Sequence, residues 1–295
     1  MSFVATLIAN PVRPALTAEL ADRASRAVGA SRIDWLDDGI AADFPLPSGA
    51  RPDESAAELR GVIGDAAVDI VVQEEGTRRK KLLIADMDST MIDQECIDEL
   101  ADEIGLKAHV AEITARSMNG ELAFEPALRE RVALLAGLDT GVIERIIENR
   151  ITLAAGGKTL VATMNAHGAW TALVSGGFLA FTGPIAAKLG FHENRANTLL
   201  EADGRLAGKV ADPILGRAAK AEALRDIAAR RAITVEDAIA VGDGANDLDM
   251  LGLAGTGVAL HAKPAVAAQA RCRIDHGDLT ALLYIQGYRR QEFVE

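Results

Sequence analysis

The sequence predicts an α/β protein built on a doubly wound parallel sheet, with a small α+β unit in front of it. Two short apolar runs, residues 82–85 and 238–241, are each followed by an acidic residue within one or two positions. Continuous apolar runs of this length are typical of strands that are buried on both faces of a parallel sheet. In addition, strand-like runs alternate with helical patterns after residue 81, which favours the crossover connections of such a sheet.

Residues 1–78 have the pattern of a separate α+β unit. Strands are expected at 3–9, 31–36, 40–44 and 68–73, and helices at 17–28 and 53–63. Thr17 is the expected helix cap, and Asp37-Asp38-Gly39 is a turn signal between two strands. The order strand, helix, strand, strand, helix, strand resembles the ACT regulatory fold. We therefore describe this part as an ACT-like domain, and the resemblance leaves homodimer formation open.

Residues 79–295 form the second predicted domain. After the strand at residue 82, a helical stretch with apolar residues at i, i+3 and i+4 extends from about 94 to 165. Further strands are expected at 172–174, 257–260 and 273–275, and a hairpin around Asp203-Gly204. Helices over 218–230 and 279–288 complete the expected α/β pattern.

Composition and charge limit the possible function classes. The 295 residues are 49% hydrophobic and 25% charged, with a formal net charge of -12. This charge argues against a nucleic-acid partner, because the one basic cluster, residues 78–81, is short. Cys96 and Cys272 have neither a metal-binding spacing nor the pattern of a disulfide framework. Without a signal-peptide pattern or an apolar run of membrane length, we expect a cytoplasmic protein with no membrane partner.

The acidic residues at the two strand ends predict a catalytic site. Ligands of open α/β sheets bind beyond the carboxyl ends of the strands, so Asp86, Asp88 and Asp243 are expected to lie close together. An Asp-x-Asp pair alone is weak evidence, because most such pairs are solvated turn residues. A second strand that ends in an acid strengthens the prediction and suggests a hard cation, which prefers oxygen ligands.

The motifs after these strands resemble those of the haloacid dehalogenase-like hydrolases. The matching residues are Asp86-Met87-Asp88-Ser89-Thr90, Ser175-Gly176-Gly177, Lys220 and Gly242-Asp243-Gly244-Ala245-Asn246-Asp247. Within that superfamily, residues 86–95 and 173–178 are similar to the phosphoserine phosphatases. The resemblance covers residues 80–295 and implies a HAD-like fold with a helical cap at about 94–165.

The resemblance also implies the chemical roles. Asp86 is expected to be the nucleophile that forms an aspartyl-phosphate, and Asp88 the general acid that later serves as base. Mg²⁺ is expected on Asp86, Asp243 and the backbone carbonyl of Asp88, since this ion uses few protein carboxylates. The substrate-binding residues of the core are expected to be Ser175, Gly176, Lys220 and Asn246.

The resemblance also implies that the helical cap determines the choice of substrate. Glu95 is expected to hold an amino group and Arg131 a carboxylate by a two-pronged contact, with Met118 and Phe124 on the inner face of the cap. The competing interpretations are an exposed Glu, an Arg that pairs with Glu130 or Glu99, and two core residues.

Two residues of the core motifs also have a second interpretation. Read alone, Lys220 on an amphipathic helix would be a solvated surface lysine, because lysine is seldom buried. Asp247 is either a residue that orients its neighbours in the site or the N-cap of the segment that starts at Leu248. The order of the motifs favours a site role for Lys220 and leaves both roles of Asp247 open.

The expected function is Mg²⁺-dependent hydrolysis of O-phosphoserine, the last step of serine biosynthesis. Glu95 and Arg131 favour an amino-acid substrate, since a sugar phosphate needs neither charge. One alternative is the same chemistry on another small phosphomonoester, or phosphoryl transfer to an alcohol. A second is an amino-acid-sensing or interaction protein with a vestigial site, and the complete set of acids counts against it.

Overall fold

The first four strands form an antiparallel sheet in the computed structural model, which describes residues 2–295. They are β1 (Phe3–Ala9), β2 (Asp34–Asp37), β3 (Ala41–Pro45) and β4 (Val68–Glu74), in the order β2-β3-β1-β4. Two helices, α1 (Ala18–Ala27) and α2 (Pro52–Ile63), connect them. The Thr17 hydroxyl accepts a hydrogen bond from the Leu20 amide (3.2 Å), which confirms the predicted helix cap. The order of elements is the predicted one, and the likeness to the ACT fold stays a prediction.

A six-stranded parallel sheet begins after residue 81. Its strands are β5 (Leu82–Ala85), β6 (Trp170–Phe178), β7 (Glu193–Asn197), β10 (Ala238–Gly242), β11 (Thr256–Leu260) and β12 (Cys272–Ile274). The order is β12-β11-β10-β5-β6-β7, and each neighbouring pair is parallel. The hairpin predicted around Asp203-Gly204 is formed by β8 (Leu199–Ala202) and β9 (Arg205–Val210). Since β5 lies between β10 and β6, the two acid-tipped strands are neighbours at a switch point of the sheet, where ligands of such sheets bind.

Five helices occupy the region expected as one helical stretch. They are α3 (Cys96–Asp102), α4 (Lys107–Met118), α5 (Phe124–Leu134), α6 (Val142–Asn149) and α7 (Gly157–Ala166). The chain turns at Gly105 and Gly120, whose φ angles of 70° and 79° lie in the left-handed region that favours glycine. Helix α7 packs on β6, whereas α3, α4 and α5 contact one another and α5 contacts β9.

The remaining helices surround the parallel sheet. They are α8 (Leu179–Leu189), α9 (Arg217–Arg230), α10 (Leu248–Leu253), α11 (Pro264–Ala267) and α12 (Ala281–Ile285). The helix expected over 279–288 is thus shorter, and α8 and β7 were not predicted. Within residues 2–295 we find no helix that combines the length and the apolar composition needed to cross a membrane.

Alternate residues of β1 face two different cores, as the two-residue period of a strand requires. Leu7 packs among the residues of α1 and α2, whereas Ile8 belongs to the core that contains Leu83 and Tyr284. Across the same junction, the Asp69 carboxylate accepts hydrogen bonds from the amides of residues 275, 276 and 277. The N-terminal unit therefore shares a continuous core with the parallel-sheet part.

Candidate active site

Asp86 is buried at the carboxyl end of β5. Its amide donates a hydrogen bond to the Val241 carbonyl (3.0 Å), which holds this residue against the end of β10. The carboxylate oxygen Oδ1 accepts from the Met87 amide (2.8 Å) and lies 2.7 Å from Lys220 Nζ. Pairing between β5 and β10 thus places the side chain at the shared edge of the two strands.

Three buried carboxylates meet at this edge. Asp86, Asp243 and Asp247 each place an oxygen within 4.8 Å of the others. Oδ2 of Asp243 is buried without a well-directed hydrogen bond inside residues 2–295, although Lys263 Nζ lies 3.2 Å away. Burial and the repulsion of Asp247 raise the pKa of Asp86 well above its usual range and that of Asp243 to about 7. A positive charge beside the cluster would therefore stabilise its ionised carboxylates.

Lys220 supplies part of that charge. Its side chain is fully buried, and Nζ lies 2.7 Å from Asp86 Oδ1 and 2.6 Å from Asp247 Oδ1. Burial favours the neutral amine, but attraction to Asp247 and Asp86 outweighs it and raises the pKa of Lys220. The alternative of a solvated surface lysine is wrong, because α9 directs this side chain into the acid cluster.

Asp88 has different neighbours from Asp86. Its Oδ1 accepts a hydrogen bond from the Cys96 amide (2.9 Å), and its Oδ2 accepts one from the Ser175 hydroxyl (3.3 Å). Burial raises the pKa of Asp88 above the usual value of a carboxyl, against the effect of these hydrogen bonds. The first turn of α3 and the end of β6 thus hold both oxygens of this carboxyl in place.

A cavity of about 30 Å³ joins these groups to the helices that follow β5. It is lined by Asp86, Asp88, Glu95, Ile97, Met118, Phe124, Leu128, Arg131, Ser175, Gly176, Gly177, Phe178, Asp243 and Asn246. This volume holds about two water molecules. A Cβ atom on Gly176 would lie 2.7 Å from Phe124 Cζ, which shows how closely α5 approaches the end of β6.

Glu95 and Arg131 are the charged side chains that the helical region contributes to this cavity. Glu95 accepts a hydrogen bond from the Ser89 hydroxyl (2.7 Å), and burial together with the charge of Asp88 raises its pKa well above the usual range. Arg131 is buried, and within residues 2–295 it forms no ion pair with Glu130 or Glu99. The structure thus brings both residues into the lining of one cavity together with Met118 and Phe124.

Comparison with known protein families shows to which family this chain belongs. The model of the haloacid dehalogenase-like hydrolases matches residues 83–252, more than half of the chain. The chain belongs to this family. The match spans the strand before Asp86, the Ser175 region, Lys220 and the strand before Asp243. The resemblance that the sequence motifs indicated is therefore confirmed.

Individual members of this hydrolase family are similar over most of the chain. A phosphoserine phosphatase from Streptomyces coelicolor is 38% identical over 295 residues, 97% of this chain and 71% of that protein. A substrate-bound phosphoserine phosphatase structure is 40% identical over 70% of this chain and 98% of its own, with a TM-score of 0.67. A HAD family hydrolase from Salmonella enterica serovar Typhi is 29% identical over 96% of this chain and 98% of its own, with a TM-score of 0.84. These similarities support a phosphatase enzyme with a HAD-like fold.

The structure decides between the two roles that the sequence left open for Asp247, and it shows two contacts of Asp243 that were not predicted. Asp247 makes no side-chain cap to α10; its Oδ2 accepts from the Gly244 amide (3.0 Å), and its Oδ1 pairs with Lys220. The four-residue spacing from Asp243 could have indicated that both acids share the cluster. Lys263 and Thr90 approach Asp243 from different loops. Lys263 lies outside the sequence motifs, and Thr90 belongs to the motif at 86–90 but was given no role.

Proposed function

We propose that this phosphatase hydrolyses O-phosphoserine to serine and phosphate through an aspartyl-phosphate on Asp86. The observation that carries the proposal is the set of charged side chains that meet around one small cavity. Asp86, Asp88 and Asp243 line it together with Glu95 and Arg131, and Lys220 Nζ lies 2.7 Å from Asp86 Oδ1. An ammonium and a carboxylate on one small phosphomonoester would match the charges of Glu95 and Arg131.

Asp86 is suited to attack phosphorus. Within residues 2–295, its hydrogen bond from Met87 and its ion pair with Lys220 both engage Oδ1, which leaves Oδ2 as the attacking atom. Carboxylates are known nucleophiles in phosphoryl transfer. The buried ammonium of Lys220 offsets the repulsion between this carboxylate and an incoming phosphate. Ser175, the Gly176 amide and Asn246 line the same cavity and are the proposed partners of the phosphate oxygens.

Asp88 is the proposed acid and base. In its protonated form it would donate a proton to the departing serine oxygen, and as a carboxylate it would then accept a proton from the attacking water. Its raised pKa supports the first role, because the proton is retained at a higher pH than on an exposed carboxyl. The Cys96 amide and the Ser175 hydroxyl fix its orientation.

The acid cluster fits a divalent cation. Three carboxylate oxygens lie within 4.8 Å of one another, and the buried Oδ2 of Asp243 lacks a well-directed hydrogen bond in the described part of the chain. We propose Mg²⁺, held by Asp86, Asp243 and the backbone carbonyl of Asp88, with Asp247 beside it. When bound, the ion would neutralise negative charge on the nucleophile and the phosphate.

We assign the cap function to helices α3 to α6, which excludes the sheet-packed α7 from the range of 94–165 expected from the sequence. These helices carry Glu95, at the start of α3, and Arg131 on α5. For the ACT-like unit we propose a contribution to stability and assembly, because its core is continuous with that of the hydrolase part. The proposed place of the enzyme is the last step of serine biosynthesis in the cytoplasm.

Phosphate release from four phosphomonoesters tests the proposed function. O-Phosphoethanolamine lacks the carboxylate of phosphoserine, 3-phosphoglycerate has a hydroxyl in place of the amino group, and glucose 6-phosphate lacks both groups. We expect the highest kcat/KM with O-phosphoserine, loss of activity with a chelator, and recovery with Mg²⁺. Preference for the sugar phosphate, or full activity in the chelator, would contradict the proposal.

A further inference from the structure

The Arg131 guanidinium is held by two hydrogen bonds inside the helical region. Nε donates to the Ala127 carbonyl (3.0 Å), and Nη1 donates to the Thr114 hydroxyl (2.8 Å). The residue is only 2% exposed, and it lines the cavity. A guanidinium has five N–H donors, so these two bonds leave about three for a ligand.

Thr114 receives one hydrogen bond and gives another. A guanidinium can only donate hydrogen bonds, so the Thr114 hydroxyl accepts from Arg131 and donates its own proton to another acceptor. The acceptors within reach are Asp98 Oδ1 (2.8 Å) and the Val110 carbonyl (3.0 Å). The carboxylate forms the stronger, charge-assisted bond. A chain of hydrogen bonds therefore runs from Asp98 on α3 through Thr114 on α4 to Arg131 on α5.

The hydroxyl keeps the carboxylate of Asp98 away from the guanidinium. A direct, two-pronged contact with Asp98 would occupy the same N–H groups that a substrate carboxylate needs. Instead, Thr114, which is 3% exposed, lies between the two charged groups and forms a hydrogen bond with each of them. Arg131 is thus fixed in position while part of its donor set stays available.

We propose that Thr114 and Asp98 are positioning residues that hold Arg131 for the carboxylate of the substrate and so set the preference for an amino-acid phosphomonoester. The inference deepens the proposed function and rests on it. A long arginine side chain loses rotamer freedom when it binds a ligand, and a guanidinium that is already fixed has lost that entropy during folding. The pair thereby contributes to substrate selection without contacting the substrate.

The test compares kcat/KM for O-phosphoserine and O-phosphoethanolamine in Thr114→Val and Thr114→Ser. Valine has a similar shape without the hydroxyl, and we expect it to reduce the ratio of the two kcat/KM values about 10-fold or more, mainly through KM of phosphoserine. Serine restores the hydroxyl and should return the ratio close to the wild-type value. Thr159→Val on α7 is the matched control, because its hydroxyl makes no hydrogen bond in residues 2–295.

Asp98→Asn provides a second variant if Thr114→Val does not fold. The amide keeps an oxygen acceptor but not the charge, so the ratio should fall by less than in Thr114→Val. An equal loss on both substrates in the folded variants, or a serine variant as impaired as valine, would overturn the inference. Wild-type protein that shows no preference for phosphoserine would refute the proposed function itself. A wild-type preference that survives in Thr114→Val and Asp98→Asn would refute the inference alone.

Discussion

Lys220 has the most demanding environment of any single residue in the site. It is fully buried and faces two carboxylates, Asp86 and Asp247, at 2.7 and 2.6 Å. Two opposing effects decide how these ion pairs influence stability. Desolvating three charges is costly, yet removing the one cation leaves the carboxylates buried with less compensation. We therefore expect this lysine to stabilise the site in addition to its role in the proposed chemistry.

Lys220→Met is therefore expected to lower both activity and stability. Methionine fills a similar volume but leaves Asp247 without its cation, and breaking a buried ion pair in this way costs about 3–5 kcal/mol. Denaturant unfolding measures the loss, with Lys188→Met on the exposed face of α8 as the control. An unchanged free energy of unfolding would show that the buried ion pairs do not stabilise the protein.

Asp88→Asn is expected to reduce kcat with O-phosphoserine by about 10²–10⁴-fold, the usual worth of general acid–base assistance. Because burial raises the folded pKa of Asp88, the acid form is fully present below the ordinary carboxyl pKa and is lost as pH rises through the folded value. The wild-type rate of serine release should therefore fall as pH rises through that range, and the rate of the variant should not show this decrease. Single-turnover measurements across pH test both points. Near-normal rates in the variant would remove Asp88 from the mechanism.

At the scale of elements, the sequence pattern predicts strands better than it predicts their surroundings. The apolar runs at 82–85 and 238–241 are β5 and β10. The two strands are neighbours in the sheet, as expected if the acids that follow them share one site. The polar edge strand β7 was missed, because its residues are mostly half-buried and carry no apolar run. The contacts of Lys263 and Thr114 could not be predicted from the sequence either. Their partners lie on different elements, and only the packed structure determines which loops and helices meet.

The junction between β4 and the loop after β12 gives a prediction at this scale. Asp69 on β4 accepts from the amides of Asp275 (2.8 Å) and Gly277 (2.8 Å), and from the amide between them. Asp69→Ala leaves these donors without an acceptor, so we expect a loss of about 1–3 kcal/mol in the free energy of unfolding. Asp65→Ala, at an exposed position before β4, is the control. Equal stability of the two variants would mean that water replaces the carboxylate without cost.

At the scale of the whole molecule, the N-terminal unit and the hydrolase part share their core. Ile8 of β1, Leu36 of β2 and Val71 of β4 belong to the same apolar cluster as Tyr284 and Leu283 of α12. Residues 1–78 were predicted from the sequence as a separate domain. A pattern along the chain identifies elements, but it does not show how much apolar surface two units bury against each other.

Removing residues 1–77 is expected to destabilise the remaining chain. The deletion would uncover the apolar surface of α12 that β1 covers, and the hydrogen bonds of Asp69 would be lost with it. We expect a lower unfolding temperature and binding of a hydrophobic dye, measured beside the intact protein. A shortened chain with the thermal stability of the intact protein would show that the two units fold independently.

The chemistry proposed for this molecule depends on Asp86 carrying the phosphoryl group. Rapid acid quenching of the enzyme during turnover of radiolabelled O-phosphoserine, followed by proteolysis and location of the label, measures this step directly. We expect a covalent, acid-stable label on Asp86 in the wild-type protein and none in Asp86→Asn, which keeps the size of the side chain but cannot attack. Label on a different residue, or turnover of phosphoserine without any trapped covalent species, would contradict the assignment of Asp86 as the nucleophile.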